Sequence, residues 1–470
     1  MSECNKPVFV PKDEMDRQQE FSLKVKSLAK ERYGEPKAIV RTFGCQQNVA
    51  DGQRIKGMLQ SMGYSFTDNE DEADLIIFNT CAVREHAEAR VFGNVGALKH
   101  YKRRRPDAVV ALCGCMTQQP HIAKKIKDSF RHVDLVFGTH VLYKLPEMLY
   151  DVLMTESRVF DIDDTENLIA EGVPFVHDGG VRGFVPVMLG CNNFCTYCVV
   201  PYVRGRERSR RPEDIEHDLI SLLKQGVKDI TLLGQNVNSY NGGITFPELL
   251  KRLCDADGDF VLRFMTSHPK DCTKQLLDTM AQCDKIEKHL HLPVQSGNDR
   301  VLKAMNRHYD RQKYLSLISY AKSVMPEIKL TSDIIVGFPG ESYEEFCDTV
   351  SLIKQVEYHS LYTFIYSPRS GTPAAKFPDP VSREEKGRWF KELLDEQEKI
   401  SMKICSQQVG RRFRALVEEQ PKAGVLNART LDNQVIELEG EKDLIGKFVT
   451  AEITDGRTWI LKGKIIKEGN

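Results

Sequence analysis

At 470 residues, with 41 % apolar and 28 % charged side chains, the chain has a globular composition and enough length for about three domains, each with its own core. A formal net charge of −1 excludes a global pull towards nucleic acid, so any polyanion has to be held by local patches. No apolar run approaches a membrane span, and Met1-Ser2-Glu3-Cys4-Asn5-Lys6-Pro7 leads into charged residues rather than a secretory signal, so a cytoplasmic protein with no membrane partner is expected. Thirteen cysteines is a high count for a reducing compartment, and their short internal spacings read as metal ligation rather than a disulfide framework.

Residues 1–34 form a charged, weakly amphipathic extension that frays or makes one surface helix and carries no chemistry. From 35 to 153 a small α/β domain is expected. Ala38–Phe43, Asp74–Asn79 and Ala108–Cys113 are short apolar runs separated by helix-length patterns, as in a parallel sheet covered on both faces. Each run leads into a cysteine: Cys45, Cys81 and Cys115. Ligands of open α/β sheets gather beyond the carboxyl ends of the strands, so these three can converge although about thirty-five residues separate them. The alternative, small buried thiols, holds for any one alone and most readily for Cys113, inside the third run.

Residues 154–182, with Asp161-Ile162-Asp163-Asp164 and Asp178-Gly179-Gly180, read as an acidic, partly irregular linker. Between 183 and 405, strand candidates at 184–189, 228–233, 260–265, 288–294, 328–336 and 360–366 alternate with helices at about 213–225, 245–256, 273–282, 310–325, 342–356 and 382–405. Six such units imply a (βα)6 partial barrel with its active end at the carboxyl edge of the strands. From 406 to 470 short alternating segments (Phe413–Val417, Val435–Leu438, Phe448–Ile453 and Trp459-Ile460-Leu461) indicate a small antiparallel β-barrel of a kind that commonly binds nucleic acid.

Near the start of the partial barrel lies the motif that speaks most directly about chemistry: Cys191-Asn192-Asn193-Phe194-Cys195-Thr196-Tyr197-Cys198. This C-x3-C-x2-C loop offers three thiolates and no fourth. A structural zinc closes its tetrahedron with four ligands, whereas a four-iron cluster held by three keeps one iron open. A zinc knuckle, or three unrelated thiols, is the bland alternative. Downstream, Arg204, Arg206, Arg208, Arg210 and Arg211 can grip an oxyanion or form a solvated face. The five basic residues between Lys99 and Arg105 can touch RNA or simply end a helix well.

Scattered cysteines, then C-x3-C-x2-C, then a terminal β-module: this order resembles the methylthiotransferase family of radical S-adenosylmethionine enzymes over nearly all of residues 37–470. Thr42–Asn48, Asn79–Glu85 and Cys198–Arg210 look like its tRNA-modifying branch, and the C-terminal module is similar to a TRAM domain. The resemblance implies that Cys191, Cys195 and Cys198 hold the [4Fe-4S] cluster that cleaves S-adenosylmethionine to methionine and a 5'-deoxyadenosyl radical. It implies an auxiliary [4Fe-4S] cluster on Cys45, Cys81 and Cys115, and no catalytic side chain beyond the cluster ligands. Gln235, Asn236, Gln295, Ser296, Asp333 and Arg204 are the candidate S-adenosylmethionine contacts.

The implied reaction is methylthiolation of C2 on the isopentenylated adenosine immediately 3' of the anticodon, with two S-adenosylmethionine molecules per product. The anticodon stem-loop, an electron donor and a sulfur or cluster donor are the implied partners. The unpaired base is extruded between the clusters beside an aromatic side chain that the sequence does not identify. Threonylcarbamoyl-adenosine in tRNA, or an aspartate of a ribosomal protein, is the alternative substrate. A non-enzymatic metal-binding RNA adaptor is the alternative from another class.

Overall fold

A computed structural model describes residues 8–82, 85–162, 168–457 and 460–466. Val83-Arg84 of the second cysteine motif, Asp163-Asp164, Trp459 and the first seven residues therefore lie outside the described residues. The chain forms two compact units. One comprises the residues up to Asp178 with Met188–Asn192 and Val199–Arg210; the other comprises Gly179–Val187, Asn193–Cys198 and everything from Arg211.

The first unit is built on six parallel strands: β1 (Lys37–Thr42), β2 (Ser65–Phe66), β3 (Leu75–Thr80), β4 (Val109–Gly114), β5 (Leu135–Phe137) and β6 (Val159–Asp161), in the order β2-β1-β3-β4-β5-β6. Every residue of β3 and β4 is buried, which explains why both read as unbroken apolar runs rather than alternating ones. Ile55, Leu59, Leu149 and Leu135 pack into the core on one face of the sheet, and Val91, Val95, Ile122 and Ile126 on the other. Helix Lys12–Tyr33 does not fray: Val25 and Ala29 are fully buried, and Gln18 donates to Glu147 at 2.9 Å. The expected linker is only partly irregular, because β6 lies within it. At three residues, that strand is too short to show a period.

In the second unit β7 (Arg182–Pro186) ends at a proline, which has no N–H to continue the ladder. The expected strand 184–189 thus breaks. Its last residues, β8 (Met188–Leu189), belong to the first unit, where they pair antiparallel with β9 (Arg208–Ser209). The strands β10 (Asp229–Leu233), β11 (Val261–Phe264), β12 (His289–His291), β13 (Lys329–Val336) and β14 (Ser360–Ile365) follow, each preceded by a helix. Two parallel sheets, β11-β10-β7 and β12-β13-β14, are joined by a bridge between Leu262 and Ile286. The result is an open arc of six strands, the expected partial barrel. Its helices start where their capping side chains stand: Ser342 with Glu345, and Thr245 with Glu248, each form reciprocal boxes.

Residues after helix Arg383–Ser406 close a five-stranded barrel: β15 (Arg412–Lys422), β16 (Val425–Thr430), β17 (Val435–Glu439), β18 (Phe448–Gly456) and β19 (Leu461–Ile466), ordered β15-β16-β17-β19-β18. The expected last strand began too early. Ile460 lies outside it and is exposed, whereas β16 answers to no expected segment. Its Leu426 and Ala428 alternate with Asn427 and Arg429 and face the barrel core, a period-2 pattern of small amplitude because Ala428 is the only other apolar residue on that face.

Candidate functional site

In the first unit Cys45, Cys81 and Cys115 sit just past the carboxyl ends of β1, β3 and β4, as expected for a ligand site on an open parallel sheet. Two glycines make the approach possible. Gly44 adopts φ +111°, and a Cβ there would stand 2.7 Å from the Cys81 Sγ; at Gly114, φ +96°, one would stand 2.4 Å from the Thr80 carbonyl oxygen. Asn48, in the first turn of helix Gln46–Ser61, has its Oδ1 3.8 Å from both the Cys45 and Cys115 sulfurs. Its Nδ2 donates to the carbonyls of Phe43 and Thr80, both at 2.9 Å, which fixes the side chain between two strand ends.

Cys81 and Cys115 are buried, while Cys45 is exposed, so the group of sulfurs has one open side. Hydrogen bonding with Cys81, aided by the charge of Arg204, pulls the Cys45 thiol down to about 6 against the opposing effect of burial. Such a thiol is a thiolate at neutral pH and ready to bind metal. Burial pushes Cys115 up, opposed by Arg204. Cys113, by contrast, is fully enclosed among core side chains of β4's opposite face, and burial holds it well above the ordinary thiol value. Its surroundings are those of a small core side chain. Three convergent thiols with an open side and a cation beside them fit a cluster bound by three thiolates.

Cys191 belongs to the first unit and Cys195 and Cys198 to the second. The N–H of Cys191 donates to the Gly205 carbonyl at 3.2 Å. Around Cys195 the loop is held by its neighbours. Asn306 Nδ2 donates to the carbonyls of Asn193 and Phe194 at 3.1 and 3.0 Å, and Lys270 Nζ donates to Asn193 Oδ1 at 2.8 Å. Phe194 takes φ +47°, a conformation rare outside glycine, which these contacts stabilise. Buried Arg307 donates to the Cys195 sulfur at 3.4 Å, to Tyr309 Oη at 2.9 Å and to the Pro293 carbonyl at 2.7 Å. Among the described residues no three His, Cys, Asp or Glu side chains form a group suited to chelating a single ion. Ligands to a cluster each hold a different iron and need no such convergence.

The candidate cofactor contacts divide. Gln295, at φ +71°, accepts from Ile335 N–H and donates its own N–H to the Asp333 carbonyl, extending the β12 edge. Ser296 is fully buried, its hydroxyl accepting from Asn298 N–H at 3.2 Å. Burial raises Asp333 to about 6, and its carboxylate lies 3.4 Å from His291 Nε2, a histidine that burial lowers to about 3 and so keeps neutral. Gln235 is half-buried after β10. Asn236 is buried, with Nδ2 on Asp271 at 2.8 Å and Oδ1 without a hydrogen-bond partner among the described residues. On the following strand end, Ser267 Oγ and His268 Nε2 are also buried without a partner among the described residues.

Arg204 belongs to the first unit and makes its side-chain contacts there. Its Nε donates to Cys115 Sγ at 3.0 Å, and one terminal nitrogen donates to Asn48 Oδ1 at 2.8 Å and Asp51 Oδ2 at 2.7 Å. The arginine run is a solvated face only at Arg206 and Arg211, which are exposed. Arg204, Arg208 and Arg210 are buried, Arg208 beside His140 and Arg210 on the Glu171 carboxylate at 2.6 Å. In the Lys99–Arg105 stretch, Lys102, Arg104 and Arg105 are spoken for by Asp134, Asp71 and Asp74. Sequence reading missed Arg307, Asn306, Lys270 and His268, which carry no motif spacing. It also missed Tyr362 and Phe364, two half-exposed aromatics of β14 in register with Asp333 and Ile335.

Three family profiles match in succession: "Uncharacterized protein family UPF0004" over residues 37–138, "Radical SAM superfamily" over 185–353 and "TRAM domain" over 406–466. A tRNA-2-methylthio-N(6)-dimethylallyladenosine synthase of Acetivibrio thermocellus is 47 % identical over 472 residues, covering 98 % of each chain. The chain belongs to the tRNA-2-methylthio-N(6)-dimethylallyladenosine synthase family. A synthase of Alkaliphilus oremlandii, 47 % identical over 92 % of this chain and 93 % of its own, carries the same name. This synthase-family chain also shares its fold with the radical S-adenosylmethionine methyltransferase TsrM of Kitasatospora setae, at TM-score 0.55 and 14 % identity over 83 % of this chain and 79 % of that one. As a radical S-adenosylmethionine enzyme, the synthase-family member uses a [4Fe-4S] cluster with S-adenosylmethionine. Among the described residues no helix is long and apolar enough to cross a membrane.

Proposed function

We infer that the protein methylthiolates C2 of the N6-dimethylallyl (isopentenyl) adenosine immediately 3' of the tRNA anticodon, consuming two S-adenosylmethionine molecules per product. The observation that carries this reading is the convergence of Cys45, Cys81 and Cys115 around Asn48 and Arg204, a thiol set additional to the C-x3-C-x2-C motif. A single cluster serves to cleave S-adenosylmethionine; inserting a methylthio group calls for a second place to hold sulfur. On this reading Cys191, Cys195 and Cys198 hold the first [4Fe-4S] cluster and Cys45, Cys81 and Cys115 the second. When bound, these groups supply radical generation and the sulfur to be transferred.

The chain's own residues bind, orient and enclose. Gln295, Ser296 and Asp333, with Gln235 and Asn236, present polar groups at strand ends to S-adenosylmethionine. His291, Asp333, Tyr362 and Phe364 share one face of the β12-β13-β14 sheet, with the His291 and Tyr362 rings 5.5 Å apart. Two exposed rings beside buried polar groups suit an extruded adenine with an apolar tail, since base–aromatic stacking contributes about 1–3 kcal/mol per base. The terminal β-barrel would hold RNA further along, and the cytoplasm, where tRNA is modified, would supply the electron and sulfur or cluster donors.

Mass spectrometry of nucleosides from tRNA incubated with anaerobically reconstituted protein tests the reading. Isopentenylated transcripts should gain the 2-methylthio group, and threonylcarbamoylated ones should not. Bound zinc with no 5'-deoxyadenosine formed would end it.

A further inference from the structure

Arg204 lies six residues beyond Cys198 in sequence, yet its side chain ends on the other cysteine set. It is only 5 % exposed and makes three directed contacts: to Cys115 Sγ, Asn48 Oδ1 and Asp51 Oδ2. The segment that carries it is pinned from both sides. Arg204 N–H donates to the Val200 carbonyl at 2.9 Å, the Arg204 carbonyl accepts from Arg208 at 3.1 Å, and the Val203 carbonyl accepts from Thr139 Oγ1 at 2.9 Å. Asp51 is likewise 7 % exposed and held by Gln47 Nε2 at 3.1 Å. Sulfur, guanidinium and carboxylate therefore stand in fixed sequence within a water-poor pocket, where charges act on one another strongly.

A cluster's reduction potential depends on its net charge, on hydrogen bonds to its sulfurs and on solvent exposure. Reduction adds one negative charge. A cation donating an N–H to a ligand sulfur favours the reduced state; a carboxylate behind that cation opposes the effect. Resting on the reading that Cys45, Cys81 and Cys115 hold the second cluster, we propose that Arg204 and Asp51 are a paired tuning device for it, Arg204 raising its reduction potential and Asp51 restraining that rise. Arg204 is a positioning residue in this scheme and touches no substrate. Asn48 ties the device together, because its Oδ1 receives Arg204 while facing two of the three sulfurs.

The test uses the full chain with Cys191, Cys195 and Cys198 replaced by alanine, so that one cluster remains, and follows its reduction by electron paramagnetic resonance at defined potentials. Arg204→Gln should lower the reduced-to-oxidised ratio at a fixed poise by about tenfold, a shift near 59 mV for a one-electron couple. Asp51→Asn should move the ratio the opposite way. Arg204→Lys, which keeps the charge but not the planar fork, should fall between Arg204→Gln and the parent.

Opposite signs are the signature that a merely structural role would not give. Shifts of the same sign in Arg204→Gln and Asp51→Asn, or none in either at equal iron content, would overturn the proposal. If Arg204→Gln does not fold, Asp51→Asn and Arg204→Lys still decide it by their signs. A parent chain that binds no iron after reconstitution would overturn the cluster assignment itself, a different failure from unshifted potentials in a chain that does.

Discussion

The cysteine site of the first unit and the Cys195 loop of the second each receive one buried guanidinium, yet the two arginines are balanced differently. Arg204 has a carboxylate partner, Asp51, at 2.7 Å. Arg307 has none within salt-bridge distance among the described residues; its contacts are a phenol, a carbonyl and the sulfur of Cys195. In the first site the Asp51 carboxylate therefore offsets the guanidinium before any ligand arrives. The second holds a buried positive charge whose natural complement is the anionic set of thiolates and whatever binds with it. A guanidinium with its own carboxylate asks for no further charge from the group bound beside it, whereas an unpaired one favours a thiolate at the sulfur it touches.

Replacing ligands should produce the largest separation between the sites. Cys191→Ala should reduce cleavage of S-adenosylmethionine to background, read as 5'-deoxyadenosine. Cys81→Ala should spare that cleavage while abolishing methylthiolated product, with iron content lower by about half. Equal loss of cleavage in both variants would break the division of labour between the two sets.

Charge balance is probed next, in the iron-free protein. Arg204→Ala strands the buried Asp51 carboxylate and should cost about 3–5 kcal/mol in urea unfolding. Replacing Arg204 and Asp51 together by leucine should recover most of that loss. Arg307→Ala strands only neutral acceptors and should cost less, about 1–3 kcal/mol. Identical costs for the two arginines would erase the contrast drawn from their partners.

Much of this was legible in the sequence, for identifiable reasons. Strands β1, β3 and β4 begin within a residue of their apolar runs because both faces are covered, and the helices of the partial barrel follow their period and caps. The placement of Cys45, Cys81 and Cys115 followed from topology alone. What escaped reading is long-range. Nothing near Arg204 announces that its partners are residues 48, 51 and 115, and a run of arginines looks the same whether it is solvated or buried against Asp51, His140 and Glu171. Arg307 sits in Asn306-Arg307-His308, which has no recurrent spacing, and only its fold neighbours bring it to Cys195. Short strands such as β5 and β6, three residues each, lie below the length at which a period can be seen.

Asn48 offers a middle-sized effect confined to the first site. Asn48→Ala removes the donor to two carbonyls and the acceptor of Arg204, and should destabilise the iron-free protein by about 1–3 kcal/mol. Asn48→Asp keeps the acceptor and adds a negative charge beside Cys45 and Cys115. It should slow cluster assembly, followed by absorbance, because like charge disfavours their thiolates.

The smallest effect belongs to Cys113, and its smallness is informative. Cys115 follows it by two residues, a spacing that would put both side chains on one face of a continued strand, but the chain turns out of β4 at Gly114 with φ +96°, so the two thiols part company. Cys113 packs with Ala111, Leu135 and Phe137 in the core. Cys113→Ala should therefore leave iron content and product unchanged and cost only about 1 kcal/mol of stability. Loss of iron in that variant would mean that proximity in sequence, rather than the turn at Gly114, selects the ligands.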